Sequence, residues 1–480
     1  MGGTISTSTW VVLKFGGTSV ASVTGWQTIA RSVAAAREQG HRCLVVCSAL
    51  SGVSNRIDAL IERAGAGEDT TDAVQLLRET HAALANELGM ELPDAVSDLL
   101  DELGRSLDGI RMLGEASPRV RARLMSRGEL MSTRLGVAWL SQQGVDVAWA
   151  DARTLLHTER APHSADSQHF LAARVEPERD TVAESRLPAA SVVLTQGFIA
   201  ADESGHTVLL GRGGSDTSAA CFGVVLGAER VEIWTDVPGL FTANPLAVDA
   251  AHQLAELGYD EVAAMASLGA RVLHPRCVEP VCQAELPLHV RSTYLPSAEG
   301  TVVRAGTVER GIKGVTSRKG LAMLRLCRPS QWQPVGFIAD VSACFKQHGL
   351  SIDLMSTSPS TITLTVDLAS APRASLDRLV ASLQEVAEVT LEHPVASVSV
   401  VGTRVRDAFA PLGGVLQQLV GVPVLMVAQG AADHHLTFVV EEDRASDLVH
   451  TLHAALFEDQ PMQGIDGPRW REMDSAEVRL

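Results

Sequence analysis

Residues 11–20 read Val-Val-Leu-Lys-Phe-Gly-Gly-Thr-Ser-Val, and no other stretch restricts the fold as strongly. A β-branched apolar run carries a lysine near its end. Two glycines and two hydroxyl residues follow, and then a helical pattern begins. That order predicts a strand, a tight turn and a helix start. Glycine lets a backbone approach a ligand closely, and a helix N-terminus offers free N–H groups to an anion. With the charge of Lys14 added, the stretch suits phosphate. It is not the common phosphate loop, which places its lysine after the glycines.

The residues that follow extend this start into a βαβ unit. Val23, Trp26, Ala30, Val33 and Ala34 recur at helical spacing, and Gly40 closes the helix. Cys43–Cys47 is a continuous apolar run, as expected for a strand buried on both faces of a parallel sheet. It leads into 48–55, a second loop rich in hydroxyls and glycine. Loops at the carboxyl ends of such strands line the ligand crevice, so both loops are expected at one site.

Residues 58–139 read mostly helical. Ser126-Arg127-Gly128-Glu129-Leu130-Met131-Ser132-Thr133 interrupts them and reads most simply as a solvated helix junction. Strands are expected at 146–150, 191–198 and 207–210, and the polar segment 156–186 as surface loops and a helix. Residues 211–218, Gly-Arg-Gly-Gly-Ser-Asp-Thr-Ser, then feed an Ala-rich helix at 219–226. Asp216 occupies the third glycine position of a dinucleotide fingerprint, which excludes that motif. Ser215 and Asp216 would serve as helix caps, which leaves Arg212 between glycines unexplained. A strand at 231–236 ends in the Pro-Gly and Asn-Pro turns of 237–245. A helix at 259–267 and a strand at 288–292 complete this half.

Near Gly311 the elements shorten. Strands are expected at 321–326, 351–357, 361–368, 396–401, 422–428 and 436–440. Helices are expected at 337–347, 375–386, near 409–419 and at 445–456. Strand, helix, strand, strand, helix, strand thus occurs twice, a repeat of type and not of residues. No glycine-rich phosphate loop occurs here, so this half reads as a binding or regulatory module. The polar tail from Glu458 is expected to be peripheral.

Composition sets outer limits. The chain has 480 residues, 46% hydrophobic and 20% charged, which predicts two or more domains with a large core. A formal net charge of -17 argues against nucleic-acid or anionic-membrane partners. Seven cysteines without a CxxC pair predict buried thiols in a reducing compartment. Cys277 and Cys282 have the wrong spacing for a zinc ribbon, and no metal site built from protein ligands is expected. His274 is expected to bond backbone in its turn, and the adjacent His434 and His435 do not suit one tetrahedral metal. The N-terminus has neither a basic n-region nor an apolar h-region, and no apolar run spans a bilayer. A cytoplasmic protein is expected, with no room for a second complete enzyme.

The first half gathers Lys14, Arg212, Arg271 and helix N-termini against two acids, Glu129 and Asp216. Phosphoryl transfer needs mainly positioning and charge stabilisation. A carboxylate acceptor ordinarily titrates near about pH 4, so it is already ionised at neutral pH and needs no general base. The absence of an evident catalytic histidine therefore favours acyl-phosphate formation.

KFGGTSV (14–20), SRGELMS (126–132), GRGGSDTSAA (211–220), WTDVPGLFTANP (234–245) and SLGARVLHPR (267–276) together resemble aspartate kinase, of the amino-acid kinase superfamily. GFIADVSACFKQHGLSIDLMSTS (336–358) resembles the paired ACT domains of the same enzymes. The resemblance implies a three-layer αβα sandwich with a mainly parallel central sheet over 1–305. Two α+β ferredoxin-like ACT units would follow at 306–390 and 391–480, the second with the polar tail. It implies ATP-dependent phosphorylation of the L-aspartate side chain to 4-phospho-L-aspartate, with Mg2+ arriving on ATP. Lys14 would neutralise the transferring phosphoryl group, and Asp216 would organise Lys14 or the metal–nucleotide. Gly16, Gly17 and Thr18 would contact phosphate, while Ser54, Glu129 and Arg212 would hold aspartate. Thr235, Asp236, Phe241, Arg271 and Val272 would line the nucleotide pocket.

The chain departs from the commoner pattern at Phe241, Asn244, Leu246 and Arg271, where tyrosine, aspartate, arginine and lysine are usual. Leu246 removes a nucleotide-phosphate contact. In the ACT pair, Gly336, Phe337, Ser351, Ile352 and Asp353 would bind an end-product amino acid at a dimer interface. Lysine is the first choice and threonine the second. Two other readings remain open: a different amino-acid kinase, and a catalytically weak ACT-type amino-acid sensor.

Overall fold

A computed structural model describes residues 9–270, 272–306, 311–328, 335–368, 373–408, 421–430, 432–458 and 467–473. Arg271 and the helix expected near 409–419 lie outside the described residues.

The opening apolar run is strand β1 (Trp10–Phe15), every residue of which is buried. It pairs in parallel with β2 (Arg42–Cys47) on one side and β8 (Arg230–Thr235) on the other. The remaining strands of the first half are β3 (Val147–Trp149), β4 (His157–Thr158), β5 (Val192–Gln196), β6 (Ile199–Asp202), β7 (Thr207–Leu209), β9 (Glu256–Leu257), β10 (Leu288–Ser292) and β11 (Thr301–Val303). Eight of them form one sheet in the order β3-β5-β2-β1-β8-β10-β11-β9. All its pairings are parallel except β10 with β11. β4, β6 and β7 make a small second sheet.

Side-chain alternation along β1 builds the three layers. Val12 joins a core with Leu44, Val46, Phe222 and Ile233. Val11, Leu13 and Phe15 join another with Trp26, Ile29, Ile57, Leu100 and Leu135. Helices therefore cover both faces. On the second face lie α2 (Val23–Glu38), α3 (Val53–Gly65), α4 (Thr71–Glu87), α5 (Asp94–Leu113) and α7 (Arg127–Gln142). α1 (Gly17–Val20) is one turn, and α6 (Pro118–Met125) abuts α7 at Ser126. α8 (Asp166–Leu171) lies over the small sheet. On the first face lie α9 (Gly214–Leu226), α10 (Tyr259–Ser267) and α11 (Pro275–Gln283).

α7 reaches the sheet closely because Gly136 has no side chain. A Cβ there would stand 2.0 Å from Trp26 Cη2 and 3.0 Å from Leu194 Cδ2. Gly136→Val is expected to overpack this layer and lower stability by about 1–3 kcal/mol. Urea denaturation checks it, and an unchanged midpoint would refute the close-approach argument.

The second half is built on β12 (Gly311–Cys327), β13 (Met355–Thr357), β14 (Thr361–Asp367), β15 (Glu388–Thr403), β16 (Met426–Gln429) and β17 (His435–Glu441). All six form one antiparallel sheet, ordered β13-β14-β12-β15-β17-β16. α12 (Phe337–His348) and α13 (Arg373–Gln384) cover one end through Val341, Phe345, Leu379 and Leu383. The helix Ala445–His453 covers the other end through Leu448, Val449 and Leu452.

The structure changes several sequence expectations, among them the strands expected at 396–401 and 422–428, which run over Glu388–Thr403 and Met426–Gln429. The strand expected at 321–326 starts at Gly311, because Gly320 (φ +75°) and register shifts near Arg318 and Leu321 carry pairing through the polar run 317–320. The strand expected at 351–357 is confined to 355–357. The junction expected at Ser126–Thr133 is buried, not solvated, with Ser126, Arg127 and Glu129 all under 9% exposed. Ile312 and Val315 pack with Val398 and Phe438, so 311–315 sits with the second helix-covered core and not the first.

Candidate active site

The same alternation that buries Val12 turns Lys14 toward α9. Asp216 stands in the first turn of α9. Lys14 Nζ lies 2.5 Å from Asp216 Oδ1, and both side chains are mostly buried (10% and 15% exposed). Gly211 (φ +70°) and Gly213 (φ +68°) shape the loop into that helix, a conformation costly for other residues. His274 occupies the space beside Gly213, 2.2 Å from where a Cβ would stand. Arg212, between the two glycines, is exposed and has no side-chain partner among the described residues.

The two loops expected at one site lie against each other. Ser51 N donates to Gly17 O at 3.1 Å, and a Cβ on Gly17 would lie 2.9 Å from Ala49 O. Gly16 packs beside Lys14 Nζ, and Thr18 is exposed. The second loop also meets α7. Ala49 N donates to Glu129 Oε1 at 3.3 Å, and Ser132 Oγ donates to Ser48 O at 2.6 Å. Ser54, in the first turn of α3, lies next to Gly128.

Glu129 is 3% exposed, and its Oε2 has no hydrogen-bond partner among the described residues. Burial raises its carboxyl from the ordinary 4.5 to about 8. A buried carboxyl with no cation beside it among the described residues is suited to a ligand that brings one.

A cavity of about 470 Å³ opens at the loop after β8. Asp236, Phe241 and Val272 line it, with Leu246, Lys319 and His450. Thr235 lies beside it, donating to Asp236 Oδ1 at 3.0 Å. Phe241 is 4% exposed and packs edge-on against Trp470, whereas Leu246 is 72% exposed. Sequence reasoning missed Lys319 and His450, since the second half gave no sign of reaching this loop. It reaches it because Phe241, Ala243 and Val248 share a core with Ile312, Phe438 and Leu448. Thr242 ties the halves further: its Oγ1 lies 2.8 Å from His453 Nε2, and its carbonyl accepts from Val315 N at 2.7 Å.

His274 caps α11, its Nδ1 accepting from Arg276 N at 3.3 Å, as the sequence suggested. All seven cysteines are free. No cluster of three metal-ligating side chains occurs among the described residues, and no described helix is long and apolar enough to cross a membrane.

In the second half, Gly336 (φ +84°) caps α12, and Phe337 and Ile352 share one apolar cluster. Ser351 is exposed. Asp353 accepts from Arg318 Nη1 at 2.7 Å, and the same guanidinium donates to Asp367 at 2.8 Å.

Residues 9–292 match the Amino acid kinase family. The lysine-sensitive aspartokinase 3 of Escherichia coli is 34% identical over 93% of this chain and 99% of its own length. The chloroplastic aspartokinase 3 of Arabidopsis thaliana is 30% identical, over 95% and 83% respectively. The crystal structure of E. coli aspartokinase III with aspartate and ADP (R-state) superposes with a TM-score of 0.79 at 32% identity, over 93% of this chain and 99% of that one. The same enzyme with lysine and aspartate (T-state) gives 0.72 over the same shares. The chain therefore belongs to the amino acid kinase family and, within it, to the aspartokinases.

Proposed function

We propose that the chain transfers the γ-phosphoryl group of ATP to the side-chain carboxylate of L-aspartate, giving 4-phospho-L-aspartate, the first step toward lysine, threonine and methionine. The Lys14–Asp216 pair at the strand end carries this reading. Lys14 meets the charge that develops on the transferring group, and Asp216 holds its ammonium in place. Gly16, Gly17 and Thr18 lie alongside to receive phosphate oxygens. Glu129 takes the aspartate ammonium, Arg212 a carboxylate by its planar fork, and Ser54 a further hydrogen bond. The acceptor carboxylate attacks already ionised, so no group need remove a proton.

Thr235, Asp236, Phe241 and Val272 are assigned to the nucleotide, and Arg271, which lies outside the described residues, is assigned to it from the sequence alone. Mg2+ would arrive bound to ATP, and Asp216 and Asp236 are the carboxylates that would hold it there. When bound, the ion neutralises phosphate charge. Lys319 borders the same cavity, where Leu246 supplies no cation of its own.

For the second half we propose feedback inhibition by lysine, with threonine the weaker candidate. Gly336, Phe337, Ser351, Ile352 and Asp353 would form the effector site. Asp353 can take the effector ammonium because Arg318 retains Asp367. The Thr242–His453 and Phe241 contacts support a route from this sheet to the nucleotide loop. A homodimer through this region is supported by edge strand β13 and by the exposed apolar Val335, Ile338 and Met355. A domain limit near 305 is supported by the change from the eight-stranded to the six-stranded sheet, whereas the limit proposed at 390 falls inside β15 of that continuous second sheet. Free cysteines support a reducing cytoplasmic setting.

ADP release measured with aspartate, with glutamate and with no acceptor tests the reaction. Turnover is expected with aspartate alone, and none with aspartate at millimolar ATP would overturn it. Lysine is expected to inhibit the wild type and spare Asp353→Ala. Lysine that changes neither activity nor Tm would overturn the effector assignment.

A further inference from the structure

A cavity of about 570 Å³ lies between α6, the start of α7 and the small sheet, and shares no lining residue with the site above. Four arginines border it: Arg119 and Arg123 from α6, Arg127 from α7 and Arg153. Arg119 and Arg123 are four apart and so share one helical face. Arg127 is 8% exposed, and its Nε has no partner among the described residues. Its carboxylate partner among the described residues is Glu102, itself 43% exposed and also on the rim. Arg153 is matched by Asp151 through contacts of 2.8 and 2.6 Å, and its third arm donates to Thr207 Oγ1 at 2.8 Å. Arg119 Nη1 lies 3.2 Å from His206 Nε2, whose Nδ1 lies 3.2 Å from Asp202. Arg123 has no side-chain partner among the described residues.

Two guanidinium charges therefore face the cavity unmatched by carboxylate, beside a third that is nearly buried. Burial, followed by the charges of Arg123 and Arg153, works against protonation of Arg127, with Glu102 opposing. Like charges gathered at a partly dry surface are costly until an anion joins them. Planar guanidinium forks match the oxygens of phosphate bidentately. Arg127 and Glu129 are two apart on α7, so they point to different sides of the helix.

We propose that this cavity is a second anion site, which binds a phosphate group as free phosphate or as a small phosphate monoester. The site is independent of the catalytic assignment, and so is its test. The full chain is first saturated with ADP and Mg2+ to cover the nucleotide site. Phosphate, and separately glycerol 3-phosphate, is then titrated by calorimetry. Saturable binding of one anion per chain is expected, with Tm raised by about 1–2 °C at several-fold saturation. Equal affinity for the two probes assigns the site to free phosphate, and tighter glycerol 3-phosphate binding assigns it to a monoester. Arg119→Ser/Arg123→Ser, at two exposed positions, is expected to weaken binding at least about 10-fold and to leave kcat unchanged. No saturable binding of either probe below about 10 mM, or undiminished binding by the double variant, would overturn the proposal.

Discussion

Lys14→Ala is expected to lower kcat by about 10²–10³-fold, the scale for removing one preorganised charge from a transition state. Lys14 is 8% exposed and held against Asp216 at 2.5 Å, so it is oriented before substrate arrives. A group that is already placed and shielded from water meets developing charge without reorganising. The KM for aspartate is expected to change little, since Glu129 and Ser54 lie on α7 and α3, across the 48–51 loop. The variant also strands the Asp216 carboxylate, which lowers stability. Lys14→Ala/Asp216→Ala is therefore expected to regain Tm while remaining inactive. Steady-state kinetics and thermal denaturation separate the two effects. Near-normal turnover by Lys14→Ala would refute the assignment.

Glu129→Gln is expected to raise the aspartate KM by about 10–100-fold, the scale of a lost charge-assisted hydrogen bond of about 1.5–3 kcal/mol. The pH dependence is the sharper readout. Burial raises the folded carboxyl to about 8, so Glu129 is neutral in the free enzyme at pH 7. An aspartate ammonium beside it favours the ionised form, so binding expels a proton. Wild-type aspartate affinity should rise with pH up to about 8 and then level off. Calorimetry in buffers of different ionisation enthalpy should detect close to one proton released, and none from Glu129→Gln. For stability the sign is that of a raised acid. Its contribution to the free protein is fully present below 4.5 and is lost as pH rises through about 8. Glu129→Gln should flatten that slope and be the more stable protein above it. Equal proton release from both proteins would refute the role given to Glu129.

The β1 strand, its glycine turn and the following helix were readable because each obeys a local rule: apolar continuity, glycine at the bend, helical spacing afterwards. The hydroxyl-rich loop 48–55 was likewise readable as a partner to the first, since strands of a parallel sheet end at one edge. Ser126–Thr133 shows the limit. Its charged residues suggest a wet junction, yet Arg127 and Glu129 are buried by α5 and by the 48–51 loop, both distant in sequence. The continuous six-stranded sheet was hidden for a related reason. A polar run with a glycine looks like a turn, but pairing of β12 with β15 along most of its length outweighs that local preference.

The amino-acid sequence by itself determined the parallel-sheet class, the two phosphate-suited loops and the chemical kinds gathered near them, because these depend on patterns within about thirty residues. Only the tertiary structure decided which charges meet. It set Lys14 against Asp216, left Glu129 buried with an open oxygen, joined the nucleotide loop to the second sheet and brought four arginines to one cavity. Those outcomes depend on desolvation and on distances between remote segments, which no local pattern encodes.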